Sequence, residues 1–106
     1  MTTVPAPVQR MIDATNAADT EGFVAAFTDD AFLEDWGRQF HGHDGARSWD
    51  RSDNIGKQAH FEVVDAEESA GEWIVTLRVT GNGYNGTGPV RFTLSGDRIS
   101  RMVIAP

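Results

Sequence analysis

Val4, Val8, Met11, Ile12 and Thr15 recur at three- and four-residue steps on an otherwise polar segment, the spacing of one buried stripe along an α-helix. Pro5 and Pro7 stand where a first helical turn tolerates proline. Asn16-Ala17-Ala18-Asp19 reads as a break, with Asp19 as the N-cap of a second helix whose buried side is Phe23, Val24 and Phe27. Asp29-Asp30 is expected to end that helix. Ala31 to Asp35 partly alternates and reads as a strand, Trp36-Gly37-Arg38-Gln39 as a tight connection, and Phe40 to Gly42 as extended chain. His43-Asp44-Gly45 holds an N-cap candidate for a third short helix, from Ala46 to about Asp53, that carries Trp49.

From Lys57 onward the period falls from 3.6 to 2. Strands are expected over 58–66, 72–81, 87–95 and 98–104. In the second of these Trp73, Val75, Leu77 and Val79 share one face, while Ile74, Thr76, Arg78 and Thr80 share the other. In the third, Val90, Phe92 and Leu94 alternate with Arg91 and Thr93, and Ser95-Gly96-Asp97 has the composition of a hairpin turn. The apolar face should meet the helices. The opposite face carries Glu62, Arg78, Arg91 and Arg101, suited to cross-strand pairing or a subunit interface. Helices first and an antiparallel run last make an α+β domain, and no linker divides residues 1–106.

Composition narrows the partners. The 106 residues carry 16 acidic and 9 basic side chains, a formal charge of −7, and Lys57 is the single lysine. Phosphate neutralisation needs clustered Lys and Arg, so neither nucleic acid nor an anionic membrane is expected as a partner. Cysteine is absent, which excludes disulfides, thiolate metal sites and cysteine nucleophiles. Met1 to Thr20 has no continuous apolar run, so a secretory signal is not expected and a cytoplasmic location is. No stretch is long and apolar enough to span a bilayer as a helix.

The order of elements, together with Phe27-Thr28-Asp29-Asp30-Ala31, Glu34-Asp35-Trp36-Gly37, Gly42, Gly45-Ala46 and the hairpin at Gly96-Asp97-Arg98-Ile99, resembles the nuclear transport factor 2-like superfamily. Within it the chain is most similar to the small SnoaL-like and ketosteroid isomerase-like proteins, and the likeness covers essentially the whole sequence. The resemblance implies a cone-shaped fold of the cystatin-like kind, a curved antiparallel sheet packed on N-terminal helices around a pocket. It also implies a small hydrophobic ligand and a homodimer. Members include isomerases, cyclases, dehydratases, epoxide hydrolases and plain binding modules, so the fold leaves the reaction open. In isomerase-like members the general base is an Asp near the end of the first strand, and Asp35 matches it. The first-helix Tyr of that site falls at Met11, which cannot donate a hydrogen bond. Its late-strand acid falls near Gly88, and no Asp or Glu occurs between Glu72 and Asp97. Steroid isomerisation by that mechanism is therefore not expected.

Each candidate has a plainer reading beside it. Asp35 facing an apolar cavity could take a proton next to a carbonyl or activate water; equally it could close the Trp36-Gly37 turn or pair with Arg38. His41 could serve as a general acid opposite Asp35. His41 and His43 with Asp44, Asp35 or His60 could be combined into a metal site, but nothing in the spacing requires one, and no metal or cofactor is expected. Trp36, Trp49 and Tyr84 could form an aromatic mouth over a flat ligand, with Met11 and Phe27 as further wall; Trp49 at helical spacing from Ala46 also suits a core. Gly81-Asn82-Gly83-Tyr84-Asn85-Gly86 matches a dinucleotide fingerprint, but a strand follows where a helix N-terminus is needed, so the glycines serve turns. Asp50 and Asp53, three apart, read as the solvated face of the third helix. The competing reading for the whole chain is a binding or dimerisation module without enzymatic activity.

Overall fold

The computed structural model describes residues 3–105. Helix α1 (Ala6–Asn16) buries Val8, Met11, Ile12 and Thr15, with Val4 just before it, so the periodic stripe is the buried face. Helix α2 (Thr20–Ala25) starts where Asp19 Oδ1 accepts the Gly22 amide hydrogen at 3.0 Å, as expected of an Asp N-cap. Helix α2 is shorter than its apolar spacing predicts. Phe27 opens strand β1 (Phe27–Asp35) instead of closing the helix, and Asp29-Asp30 lies within that strand. The cause is tertiary: the Ile99 amide donates to the Ala26 carbonyl at 2.9 Å and Phe27 pairs with Ile99, which draws the chain into the sheet early.

Strand β2 (Arg38–His41) follows a two-residue turn, and helix α3 runs Gly42–Asp53. Helix α3 begins before the expected Ala46, with His41 at its N-cap position and Asp44 in its first turn. One 3₁₀ turn, Ile55–Lys57, leads into β3 (His60–Ser69), β4 (Glu72–Thr80), β5 (Gly86–Ser95) and β6 (Arg98–Ile104). These four strands fall within a few residues of the expected ranges, because period-2 patterning survives folding intact.

All six strands form one sheet, in the order β2-β1-β6-β5-β4-β3. Every pairing is antiparallel except β1 with β6, which is parallel; the sheet is therefore mixed, where an antiparallel one is expected from sequence. Register shifts between Val63 and Asp65 and between Thr93 and Leu94 mark bulges, and bulges bend a sheet and increase its twist. The helices pack on one side of the sheet, over Val75, Leu77, Val90, Phe92, Ile99 and Met102. Asn16 ties α1 to β3, donating to the Phe61 carbonyl at 2.9 Å and accepting the Phe61 amide at 2.8 Å. On the outer face Arg78 pairs with Glu62 and Arg91 with Glu72, both at 2.8 Å. Such exposed pairs contribute under about 1 kcal/mol each, and they keep this face polar.

Candidate active site and cavity

Inward-facing positions of the sheet leave space between the strands and helices. Phe61 from β3, Leu77 and Val79 from β4, Val90 from β5, and Met102 and Ile104 from β6 line a cavity of about 550 Å³. Met11 of α1 and Trp49 of α3 close it from the helical side. This volume lies within the usual range for a small-molecule site, and an apolar wall with a few placed polar groups is the usual construction.

Asp35 supplies one of those polar groups. Ala31 and Leu33 are buried on the inner face of β1, and strand periodicity sends Asp35 to the same side. The carboxyl sits at the cavity wall with 17% of its side chain exposed. Its Oδ2 accepts the Trp49 indole N–H at 3.0 Å and Arg38 Nη2 at 2.7 Å. Arg38 also makes a two-pronged contact with Asp53, at 3.0 and 3.2 Å. One guanidinium thus joins β1, β2 and α3 at the rim. Asp35 Oδ1 accepts no hydrogen bond from the described residues.

The turn beside it holds an aromatic in an unfavourable conformation. Trp36 and Gly37 have φ of 51° and 85°. A two-residue hairpin of this kind needs positive φ at both positions, which suits Gly but not Trp. Trp36 is 60% exposed and borders the cavity, as does Tyr84, also 60% exposed, on the loop between β4 and β5. Asn85 braces that loop, its side chain bonding to Gly81 and Gly83 backbone atoms. The glycines there shape a turn, and β5 follows them directly.

Of the residues singled out from sequence, Asp35, Trp36, Trp49, Tyr84 and Met11 meet around one cavity. Phe27 does not: it is fully buried against Phe23, ring centroids 5.1 Å apart, and forms no part of the cavity wall. His41 does not either, and register is the reason. Asp35 pairs with Arg38 and Phe32 with His41, so His41 lies three residues from Arg38 and faces the opposite side of the sheet. Its ring tilts against Phe32 at 5.3 Å, and the general-acid role opposite Asp35 is corrected on that ground. His43 contacts the Phe27 carbonyl oxygen at 2.9 Å through Nε2. Among the described residues no three His, Asp or Glu side chains converge as metal ligands.

The third helix is the largest correction. Asp50 is 1% exposed, not solvated. It accepts from Asn54 Nδ2 at 3.0 Å and from the Thr20 hydroxyl at 3.1 Å, and Asn54 Nδ2 also donates to Thr15 Oγ1 at 3.0 Å. The network joins all three helices behind the cavity. Burial pushes the Asp50 carboxyl above its ordinary pKa, against the lowering effect of hydrogen bonds from Asn54, Thr20 and the Ile55 amide and of the Arg47 charge. Burial also acts upward on Asp53, but hydrogen bonds from Arg38 and Ser52 and the charges of Arg38 and Lys57 outweigh it and hold Asp53 below the ordinary value.

These opposite shifts have opposite consequences. A carboxyl whose pKa is raised on folding stabilises the fold most in acid, and that contribution declines as pH climbs from the ordinary carboxylate value to the raised one. A carboxyl whose pKa is lowered contributes above the ordinary value and loses its contribution as pH falls through the lowered one. Urea unfolding of wild type, Asp50→Asn and Asp53→Asn near pH 7 and pH 3 checks this. The stability gap between wild type and Asp53→Asn should shrink in acid, whereas the gap to Asp50→Asn should move in favour of wild type. Parallel gaps at both pH values would contradict both assignments.

No curated protein matches the chain significantly. Among solved structures, a polyketide cyclase candidate from Sinorhizobium meliloti superposes with a TM-score of 0.85 at 24% identity, covering 94% of each chain. A Mycobacterium tuberculosis protein in complex with estradiol-17beta-hemisuccinate gives 0.79 at 16% identity, over 95% of this chain and 92% of that one. A computationally designed 17-OHP binder gives 0.80 at 15% identity, over 94% and 90%. At these identities the likeness establishes the α+β fold of the nuclear transport factor 2-like kind, and nothing finer. The SnoaL-like domain model matches residues 8–102, nearly the whole sequence, and the chain belongs to the SnoaL-like family.

Proposed function

We propose that this chain binds one small hydrophobic molecule in the cavity and that Asp35 acts there as the acid–base group of an isomerase, cyclase or hydrolase type of reaction. The observation that carries this reading is the Asp35 carboxylate, held by Trp49 and Arg38 with one oxygen unbonded, on the wall of a mostly apolar cavity of about 550 Å³. Two donors fix Oδ2 and leave Oδ1 free, so the proton-accepting atom is positioned before a ligand arrives. Trp36 and Tyr84 offer flat surfaces at the mouth, and Met11 and Trp49 form wall. Fold relatives that hold an estradiol ester or were designed to bind 17-OHP support the ligand class.

Binding without turnover is the second reading. It is favoured by Asp53, the other carboxylate at the cavity, being fully engaged by Arg38, and by the absence of any acid between Glu72 and Asp97. An amide NMR screen of hydrophobic carbonyl and epoxide compounds tests the pocket itself. Shifts clustered at Asp35, Trp36, Trp49 and Tyr84 are expected; a broad panel that moves none of them would sink the ligand-binding reading.

The protein is further proposed to act as a cytoplasmic homodimer, joined through the outer sheet face that carries Arg78 and Arg91. Light scattering at micromolar concentration should return twice the 11.6 kDa chain mass. A monomer mass would remove the dimer from the proposal.

A further inference from the structure

Strand β5 carries glycine at positions 86 and 88, where strands usually hold side chains that pack. Gly86 pairs with Val79 and Gly88 with Leu77, with no register shift between β4 and β5. Directly opposed residues of an antiparallel pair share a face, and both Val79 and Leu77 line the cavity. The two glycines therefore turn their missing side chains toward the cavity. Gly86 is accounted for within the protein: the Tyr84 ring lies over it, and a Cβ there would stand 2.8 Å from the phenol Cζ.

Gly88 has no such reason. Its φ is not positive, so the backbone does not require glycine. No bulge interrupts its pairing with β4. A Cβ at this position would meet no atom within 4 Å beyond its chain neighbours, so no close approach requires glycine either. Glycine inside a strand weakens it, through backbone entropy and lost packing. The chain bears that cost at one point of the cavity wall, next to the buried inward-facing Val90. What glycine provides there is room inside the cavity.

We propose that Gly88 sets the breadth of ligand the cavity takes. The space over it receives the bulky body of a cyclic or branched hydrophobic molecule, beside the Tyr84 ring, and a side chain at this position restricts the cavity to slender chains. This selection rests on the cavity being a ligand site and goes beyond it in naming the residue that reads shape there. Its origin is packing: a wall at native density yields poorly, so a ligand too broad for it either loses contacts or forces side chains out of place. Stability forgone in β5 in exchange for room is the trade-off expected where a wall is shaped for function.

1-Adamantanol and 1-decanol are the probes, alcohols of equal carbon number, one a rigid cage and the other a slender chain. Each is titrated into wild type, Gly88→Ala and Gly88→Val, with amide resonances as the readout and urea unfolding alongside. Wild type should bind both, and the cage should shift the Gly88 and Leu77 amides. Gly88→Val should bind 1-decanol as wild type does and 1-adamantanol at least about tenfold more weakly, the least that a methylene of misfit in a hydrophobic pocket usually costs. Both variants should unfold at higher urea than wild type, because the backbone at 88 already accepts a side chain. A lower midpoint for Gly88→Ala overturns the inference, since the glycine then serves the fold. A wild type that takes only the chain overturns it too, as does a Gly88→Val that binds both probes unchanged or loses both alike; the pocket reading survives each of these. Binding of neither probe by wild type, with no shift at any cavity residue, overturns the inference and the pocket reading together.

Discussion

Asp35→Asn is expected to leave ligand affinity nearly unchanged and to lower turnover by about a hundredfold to ten-thousandfold, the usual worth of a positioned acid–base group. The substitution keeps shape and volume. It also keeps an oxygen able to accept from Trp49, so the cavity wall beside it is preserved. What it removes is the capacity of the side chain to take and return a proton. Arg38 retains its contact with Asp53 and stays at the rim, so the loss reports chemistry more than rearrangement. The measurement pairs single-turnover consumption of a screened ligand with its dissociation constant, because a KM effect alone could come from either step. Equal turnover by wild type and variant would remove Asp35 from the chemistry. Tight binding with no consumption by wild type would establish the second reading, a pocket that holds its ligand unchanged.

Much of this site is legible in the amino-acid sequence, and the part that is not has identifiable physical causes. Strand alternation through Ala31, Leu33 and Asp35 carries the carboxyl inward, so spacing and resemblance together place Asp35. The Trp36-Gly37 turn fixes more than its own two residues. A two-residue connection pairs Asp35 with Arg38, and counting on from there puts His41 on the outer face with Phe32. The displacement of His41 is thus a matter of parity, recoverable from the sequence once the turn length is fixed. Phe27 differs from its expected place for another reason. Its spacing from Phe23 and Val24 fits a helix, and only the parallel pairing with Ile99, 72 positions away, makes it a strand residue. Local pattern holds no trace of so distant a partner.

Asp50, Asp53 and Asn54 are hidden from sequence in a third way. Charged and amide side chains at helical spacing usually mark a solvated face, and here one of them faces the cavity rim and two are buried. The signal that betrays them is the chain of small polar residues that serves them. Thr15 interrupts the apolar stripe of α1, where a core would otherwise take an aliphatic residue, and Thr20, half-buried, follows the N-cap of α2. A polar residue at a buried position needs a partner, and Thr15 meets Asn54 as Thr20 meets Asp50. The apolar wall is visible in the sequence because hydrophobicity is a property of single residues. The network is not, because hydrogen bonding is a property of pairs.

Trp49 joins the apolar core to the Asp35 carboxyl, and its removal should be the most destabilising single change at the site. It is 4% exposed, stacks on Phe23 with centroids 5.8 Å apart, and holds Asp35 by its indole N–H. Trp49→Ala should cost about 3–5 kcal/mol, the range for truncating a large buried aromatic. Stability of a domain this size is only about 5–15 kcal/mol in total, so the variant should be close to unfolding at room temperature. Trp49→Phe separates packing from hydrogen bonding: it keeps a ring against Phe23 and deletes the N–H. Its cost should be nearer 1–2 kcal/mol, part lost volume and part lost hydrogen bond. Urea unfolding monitored by circular dichroism gives both values without relying on the fluorophore that is being removed. If Phe proves as costly as Ala, the indole N–H to Asp35 outweighs the stacking, and the carboxyl is a structural post of the fold. If Ala costs under about 1 kcal/mol, far below the burial expectation, Trp49 is not a supporting wall, and the cavity beside it must close in its absence.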